Sequence, residues 1–306
     1  MSIVILGVFV ADTAYRAERQ PKMGETILGK SFVLGPGGKG SNQSVAAAKA
    51  GGDVTFISRL GRDAFADIAR ATWKAAGVKP EVTIDEQSYT GAAYIFIEEA
   101  TGNNAIIIAP GAAGRISVSD VEARIGLIST AKVFMTQLEQ PMEAAMRALE
   151  LARMGNARTI LNPAPAAALP EGMLKLCSYV TPNETEAEAL TGIKVSTLEG
   201  AEAAAKALRE RGARAAVITL GEKGALYHDG ARTQHVPAYD AGPVLETTGA
   251  GDAFNGAFAV ALAEGRDPID AVRFGCAAAG ISVTRPGTAP SMPARAEIDA
   301  LVRRAR

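Results

Sequence analysis

The sequence is poor in the residues that build most metal and redox sites. It holds two cysteines, Cys177 and Cys276, and two histidines, His228 and His235, in 306 residues. The cysteines lack metal-ligand spacing and are too few for the framework of a disulfide-rich secreted domain. The histidines lie around Asp229-Gly230, which reads as a hairpin turn, and this placement argues against a His-based metal centre or triad. Charge of one sign is lacking as well: 32 Lys and Arg stand against 33 Asp and Glu, a net charge of −1. The basic residues are scattered, apart from Arg303-Arg304-Ala305-Arg306, which reads as a solvated helix end. No nucleic-acid footprint is present. No apolar run approaches a membrane span. Ser2–Ala11 lacks a basic leader and runs into Asp12, so it reads as a buried strand and not as a signal peptide. A reduced, cytoplasmic chain without a membrane partner is expected. There is no linker rich in Pro, Gly or Ser and no internal repeat.

What is present is a chain of 48% hydrophobic and 21% charged residues, long enough for one large α/β domain or two small ones. Strands are expected at 3–8, 54–58, 132–137, 158–161, 178–181 and 215–220, with a hairpin at 224–228 and 231–236. Helices are expected at 44–50, 63–76, 118–128, 141–154, 184–191, 198–211, 252–264, 268–284 and 294–304, with a short one at 171–176. Repeated strand–helix units predict a mostly parallel sheet covered by helices on both faces. Four further segments, 24–28, 31–34, 90–98 and 105–109, read as strands of a small separate sheet. Thr101-Gly102-Asn103-Asn104 turns the last two into a hairpin. A lid over an active site is the natural use of such a sheet.

The most informative stretch is Glu246-Thr247-Thr248-Gly249-Ala250-Gly251-Asp252-Ala253-Phe254. Three small residues open a helix whose unpaired N–H groups, at the positive end of the dipole, make an anion site. Asp252 beside bound phosphate is placed to take a proton from an attacking hydroxyl. The alternative is a glycine turn with Asp252 as helix N-cap. Four other clusters fall at strand ends or helix starts: Asp12; Gly37-Gly38-Lys39-Gly40-Ser41-Asn42; Thr136-Gln137-Leu138-Glu139; and Thr181-Pro182-Asn183-Glu184-Thr185-Glu186. Each has a plain structural alternative. Asp12 suits a turn, Lys39 a solvated loop, Glu139 a cap near Pro141, and Asn183 with Glu186 a capping box. Gly35–Gly40 also matches G-x-G-x-x-G, but it does not directly follow the first strand as a dinucleotide-binding unit requires. A dinucleotide-binding protein using Gly35–Gly40 is the alternative to a phosphate-transfer site.

Taken together, these clusters resemble the ribokinases, within the ribokinase-like (PfkB-type) carbohydrate kinases, from Ile3 to Leu301. The most specific pieces are Gly37-Gly38-Lys39-Gly40-x-Asn42-Gln43, Asn162-Pro163-Ala164-Pro165-Ala166, Thr181–Ala187 and Gly249-Ala250-Gly251-Asp252-x-Phe254-Asn255-Gly256. The resemblance implies a three-layer α/β/α sandwich with a β-sheet lid, one domain over 1–306 with lid strands within about 12–35 and 88–110. It implies MgATP-dependent phosphorylation of a sugar hydroxymethyl group, with D-ribose as the leading acceptor. It implies Asp252 as base and Ala250 and Gly251 as anion hole. Sugar contacts would be Asp12, Gly38, Lys39, Gly40, Asn42 and Glu139. Nucleotide contacts would be Asn183, Thr219, Gly221, Gly224, Gly251 and, in the adenine pocket, Cys276. Glu186 would organise Mg²⁺ through water. Glu246, Thr248, Ser282, Arg285, Gly287 and Ser291 would form a monovalent-cation site, expected to take K⁺. A homodimer joined through the lids is implied too.

Two positions depart from the family pattern. Val10 stands where ribokinases carry Asn, which opens the alternatives of another pentose or a deoxy-sugar and, more distantly, a nucleoside. Glu246 stands where they carry Asp.

Overall fold

The computed structural model describes residues 2–304; Ala305 and Arg306 of the basic tail lie outside them, and Arg303 and Arg304 form the exposed end of the last helix. The strands are β1 Ser2–Leu6, β2 Val10–Ala17, β3 Ser31–Gly37, β4 Asp53–Leu60, β5 Lys79–Ile84, β6 Thr90–Glu98, β7 Asn104–Gly111, β8 Val133–Thr136, β9 Arg158–Leu161, β10 Tyr179–Val180, β11 Ala216–Thr219, β12 Ala225–His228 and β13 Thr233–Val236. The helices are α1 Lys39–Lys49, α2 Ala64–Ala76, α3 Val118–Glu122, α4 Ile125–Thr130, α5 Met142–Met154, α6 Glu184–Thr191, α7 Leu198–Glu210, α8 Ala250–Ala263, α9 Pro268–Ser282 and α10 Arg295–Arg304.

The large sheet runs β13-β12-β11-β10-β9-β8-β1-β4-β5. It is parallel from β11 to β5, and the β12–β13 hairpin closes one edge antiparallel. The central strands are apolar throughout because both faces are covered. On one face α1, α2, α8, α9 and α10 bury Phe56, Trp73, Phe258 and Phe274. On the other, α5 and α7 bury Phe134, Leu149 and Leu208. The result is the expected three-layer sandwich. Strand C-termini point to one end of it, the end where ligand sites collect in open α/β sheets.

The second sheet, β3-β2-β6-β7, stands beside that end. Its composition differs from the expected one. Residues 24–28 form no strand: Pro21, Gly24 and Gly29 interrupt the segment, and Leu28 is solvent-exposed. The missing strand is instead β2, which lies between β3 and β6. Asp12 is thus neither a turn residue nor simply the end of β1; it is carried by the lid. Strand β5 carried no signal because Pro80 and Glu81 break its pattern, which an edge strand tolerates. The helix expected at 118–128 is split at Arg124, whose guanidinium bonds back to the Asp120 carbonyl at 2.9 Å. No helix among the described residues is long and apolar enough to cross a membrane.

Candidate active site

Helix α1 starts at Lys39, several residues earlier than its alanine-rich run suggests. Ser41, Asn42 and Gln43 read as a polar loop, yet all three are buried on the helix. Gly40 makes this possible. Its backbone lies against Gly7 at the end of β1, where an added Cβ would sit 2.7 Å from the Gly7 Cα. The first turn of α1 is therefore pressed onto the sheet, and its amide side chains point along the strand ends. The Lys39 N–H donates to Glu139 Oε2 at 2.8 Å. Glu139 thus serves the start of α1 and not the helix after Pro141.

Helix α8 starts at Ala250, with Gly249 as its cap at φ 84°, a left-handed conformation that glycine adopts freely. Asp252 is consequently inside the first turn and is not the N-cap. The Ala250 N–H donates to the Thr247 carbonyl at 3.2 Å. Helix geometry leaves the Gly251 and Asp252 N–H groups without an intrahelical acceptor. Asp252 is 8% exposed, and both carboxylate oxygens are held: Oδ2 accepts from Asn42 Nδ2 at 3.1 Å and Oδ1 from Gln43 Nε2 at 3.0 Å. Burial raises its pKa against the opposing pull of Lys39 and of these two amides.

Around Asp252 the charges are concentrated, with Asp12, Lys39 and Glu139 half-buried and Glu186 buried. Burial pushes Glu139 up to about 7, although Lys39 draws it down. Burial likewise lifts Asp12 to about 6 and raises Glu186. For Lys39 burial works in the opposite sense, yet the carboxylates of Asp252, Glu139 and Glu186 prevail and hold it above the ordinary lysine value. Lys39 is therefore a helix residue in the shared field of three carboxylates and not a solvated loop residue. Asp12 reaches the cluster from β2, its carboxylate lying directly over Gly37, where an added Cβ would come within 2.3 Å of both oxygens. Val10 shares the Asp12 face of the lid strand. It is 6% exposed and packs toward Gly91.

The other side of the α8 N-terminus opens into a cavity of about 530 Å³. Asn183, Thr219, Gly221, Gly224, Ala250, Gly251 and Cys276 all line it, as expected from the sequence. So do Tyr239–Gly242 and Val244, which no motif marked. Burial pushes the Cys276 thiol up to about 12, so the residue acts as apolar wall. Asn183 does cap α6, and Glu186 completes a capping box with it: the Glu186 N–H donates to Asn183 Oδ1 at 2.8 Å and the Asn183 N–H to Glu186 Oε2 at 2.9 Å. The structural alternative for this pair is real, and it coexists with the placement of Asn183 in the cavity wall.

The positions singled out for a monovalent cation adjoin the α8 cap. Glu246 Oε2 accepts from the Gly287 N–H at 2.7 Å. The Ser282 and Ser291 hydroxyls donate to the Ala279 and Thr288 carbonyls, and Arg285 pairs with Glu297. Side-chain oxygens there are largely engaged. A cation would draw on the backbone carbonyls of the loop, with Thr248 on the α8 side.

A set of buried amides escaped the sequence reading. Gln43 donates to Asn162 Oδ1 as well as to Asp252, and Gln137 donates to Gln43 Oε1 at 2.6 Å. Asn162 donates to the Thr181 carbonyl at 2.9 Å. Thr181 donates to Asn255, which donates to the Gly251 carbonyl at 2.8 Å. Asn162, Thr181 and Asn255 sit inside the motifs quoted above. Nothing in their spacing says that they meet.

The chain as a whole has counterparts among known proteins. Residues 2–295 match the pfkB family carbohydrate kinase profile. A ribokinase of Haemophilus influenzae is 35% identical over 97% of this chain and 96% of its own length. A deoxyribokinase of Salmonella typhimurium is also 35% identical, over 96% of each. The solved ribokinase of Arabidopsis thaliana, complexed with ribose and ATP, superposes with a TM-score of 0.92 at 31% identity, covering 98% of both chains. The chain belongs to the pfkB family of carbohydrate kinases.

Proposed function

We propose that this kinase transfers the γ-phosphoryl group of ATP to the 5-hydroxyl of D-ribose, giving ribose 5-phosphate and ADP. The observation that carries the reading is the position of Asp252, one turn into α8, with the nucleotide-sized cavity on one side and the Asp12, Lys39, Asn42 and Glu139 cluster on the other. These side chains offer both donors and acceptors to sugar hydroxyls, with Gly38 and Gly40 keeping the chain close. ATP in the cavity would lie along Asn183, Thr219, Gly221 and Gly224, with its base beside Cys276 and its terminal phosphate at the α8 N-terminus.

Asp252 takes the proton of the 5-hydroxyl as the sugar oxygen bonds to the γ-phosphorus. The bond from that phosphorus to the β–γ bridging oxygen breaks, and the electron pair leaves with ADP. The free N–H of Gly251 would face the charge that develops on the transferring group, and that of Ala250 would join it on leaving the Thr247 carbonyl. Burial raises the pKa of Asp252 and so strengthens it as a base. Mg²⁺ would neutralise phosphate charge, and Glu186, a buried carboxylate on the cavity side of Lys39, suits its hydration shell. K⁺ in the loop of Glu246, Thr248, Ser282, Arg285, Gly287 and Ser291 would brace the α8 cap.

The lid closes over the sugar from Asp12 and excludes water. Its outer strands carry exposed apolar residues, Phe32 at 54% and Ile107 at 68% on one face and Val33 at 62% and Ile108 at 56% on the other. A second lid is the cover that fits, making a homodimer. Sedimentation at micromolar concentration reads this directly, and a monomer with intact activity would refute it. The whole chain then works as one catalytic unit, and a cytoplasmic location fits its use of ATP.

Val10 favours a second reading, phosphorylation of 2-deoxyribose, since an apolar side chain on the Asp12 face offers a sugar hydroxyl no partner. An unpaired hydroxyl there costs about 1–3 kcal/mol. The equal identity to a ribokinase and to a deoxyribokinase leaves both acceptors in play. Comparing kcat/KM for ribose, 2-deoxyribose, arabinose and xylose tests both. The expected result is a deoxy- or epimeric pentose within about tenfold of ribose, with Val10→Asn shifting preference toward ribose. A thousandfold preference for ribose, unchanged in the variant, would show Val10 to be packing alone.

A further inference from the structure

We infer that Gln43 is a positioning residue that fixes the orientation and the basicity of Asp252, and that Gln137 braces its amide from behind by donating to its carbonyl; this rests on the reading of Asp252 as the base. Gln43 is fully buried on α1, and its side chain has one arrangement that satisfies its neighbours. The ionised carboxylate of Asp252 can only accept, so the NH₂ group of Gln43 must face it. The two hydrogens of that group go to Asp252 Oδ1 and to Asn162 Oδ1, each at 3.0 Å. The carbonyl Oε1 of Gln43 then faces away and accepts from Gln137 Nε2 at 2.6 Å.

The polarity is thus handed along from Asp252 to Gln137, and it has a visible consequence. Gln137 Oε1 is left buried without a hydrogen-bond partner, pressed against Gly7 and Gly40. Reversing the Gln137 amide would set its oxygen against the oxygen of Gln43. Reversing both would set the Gln43 oxygen against Asp252. The orphaned carbonyl is the end of a chain whose direction the carboxylate dictates. Asn162 is tied to the Thr181 carbonyl, and Thr181 reaches the Gly251 carbonyl through Asn255. The same network therefore holds the base and the turn that faces the phosphate.

A donor on a carboxylate favours its charged form. The other charged groups facing Asp252 are Lys39 on α1, Glu139 after β8 and Glu186 on α6. Gln43 touches none of them through a hydrogen bond in the structure, so removing its amide changes the Asp252 contact without removing an ion pair. In Gln43→Leu the carboxylate keeps only the Asn42 donor on its other oxygen.

The test is the pH profile of kcat for wild type, Gln43→Leu, Gln137→Leu and Asp252→Asn, with ribose and ATP saturating. Loss of the donor should raise the acid limb of kcat by about 1 pH unit in Gln43→Leu. The plateau should fall about 10-fold or more as the base loses its aim, while KM for ATP stays within about twofold. Gln137→Leu removes the donor that braces the Gln43 carbonyl, loosens the amide against Asp252 and should move the limb the same way by less. It decides the question by itself if Gln43→Leu does not fold. An unmoved acid limb in every folded variant overturns the inference, because a packing role alone lowers activity without changing the titration. Asp252→Asn separates the two readings. If it keeps near-wild-type kcat, the base assignment fails; if it is inactive and the glutamine variants titrate as wild type, only the role of Gln43 fails.

Discussion

Replacing Gly37 with alanine isolates the contribution of Asp12 without touching Asp12. The backbone at Gly37 is not left-handed, so alanine meets no conformational penalty there. The added methyl would stand 2.3 Å from each carboxylate oxygen of Asp12 and 2.4 Å from its Cγ. The carboxylate must withdraw by about 1 Å to reach ordinary contact, more than a hydrogen bond to a bound hydroxyl tolerates. A hydrogen bond to a charged group is worth about 1.5–3 kcal/mol, which converts to a loss of about 10- to 150-fold in kcat/KM for the sugar. KM for ATP should stay within about twofold, since Gly37 lies away from the cavity that Asn183 and Gly224 line. Coupled ADP-release assays with each substrate varied in turn measure both quantities, and circular dichroism checks the fold. A sugar kcat/KM within twofold of wild type would refute the placement of Asp12 over the substrate. A parallel rise in KM for ATP would point to collapse of the α1 start.

Two further outcomes follow from the electrostatics. Burial lifts Glu139 and Asp12 above their unfolded values, to about 7 and about 6, so the unliganded native state binds more protons than the unfolded chain between roughly pH 4 and 7. Their contribution to stability is present at low pH and is lost as pH rises through the folded values. Glu139→Gln should therefore raise Tm at pH 8 and leave it nearly unchanged at pH 5; a larger gain at pH 5 would contradict the sign. A monovalent cation on the loop carbonyls beside Glu246 would brace the α8 cap, so K⁺ should raise kcat above its value in Na⁺, and Glu246→Asp, the residue of the family pattern, should enlarge that response. Equal rates in K⁺, Na⁺ and a bulky organic cation would remove the cation site from the account.

Much of this was legible in the sequence because it rests on local chemistry. Small residues opening a helix predict a helix start with unpaired N–H groups whatever packs around them, and α8 starts in this way after Gly249. Strand and helix periodicity set out the sandwich, since both faces of its parallel sheet are covered. The failures have a common physical cause. Strand β2 carries polar and small residues because it faces a site, so it lacks the apolar alternation that marks a strand. The start of α1 is hidden because its buried face is made of Ser41, Asn42 and Gln43, side chains whose burial only the partners explain. Asp252 was readable as a cap until the left-handed Gly249 moved the helix start ahead of it. The amide network could not be read at all, because Gln43, Gln137, Asn162 and Asn255 meet only when the ends of β8, β9 and β10 are brought beside α1 and α8.

Everything proposed for this site rests on Asp252 removing the proton from the sugar hydroxyl that attacks ATP. Phosphorus NMR of the product formed from ATP and D-ribose, with wild type and Asp252→Asn at equal concentration, tests it most directly. The wild type should give a single 5-phosphomonoester and ADP. The variant should be slower by about 10²- to 10⁴-fold, with ADP binding unchanged by calorimetry. A variant that forms the same ester at the wild-type rate, or a wild type that consumes ATP equally with and without any pentose, would contradict it.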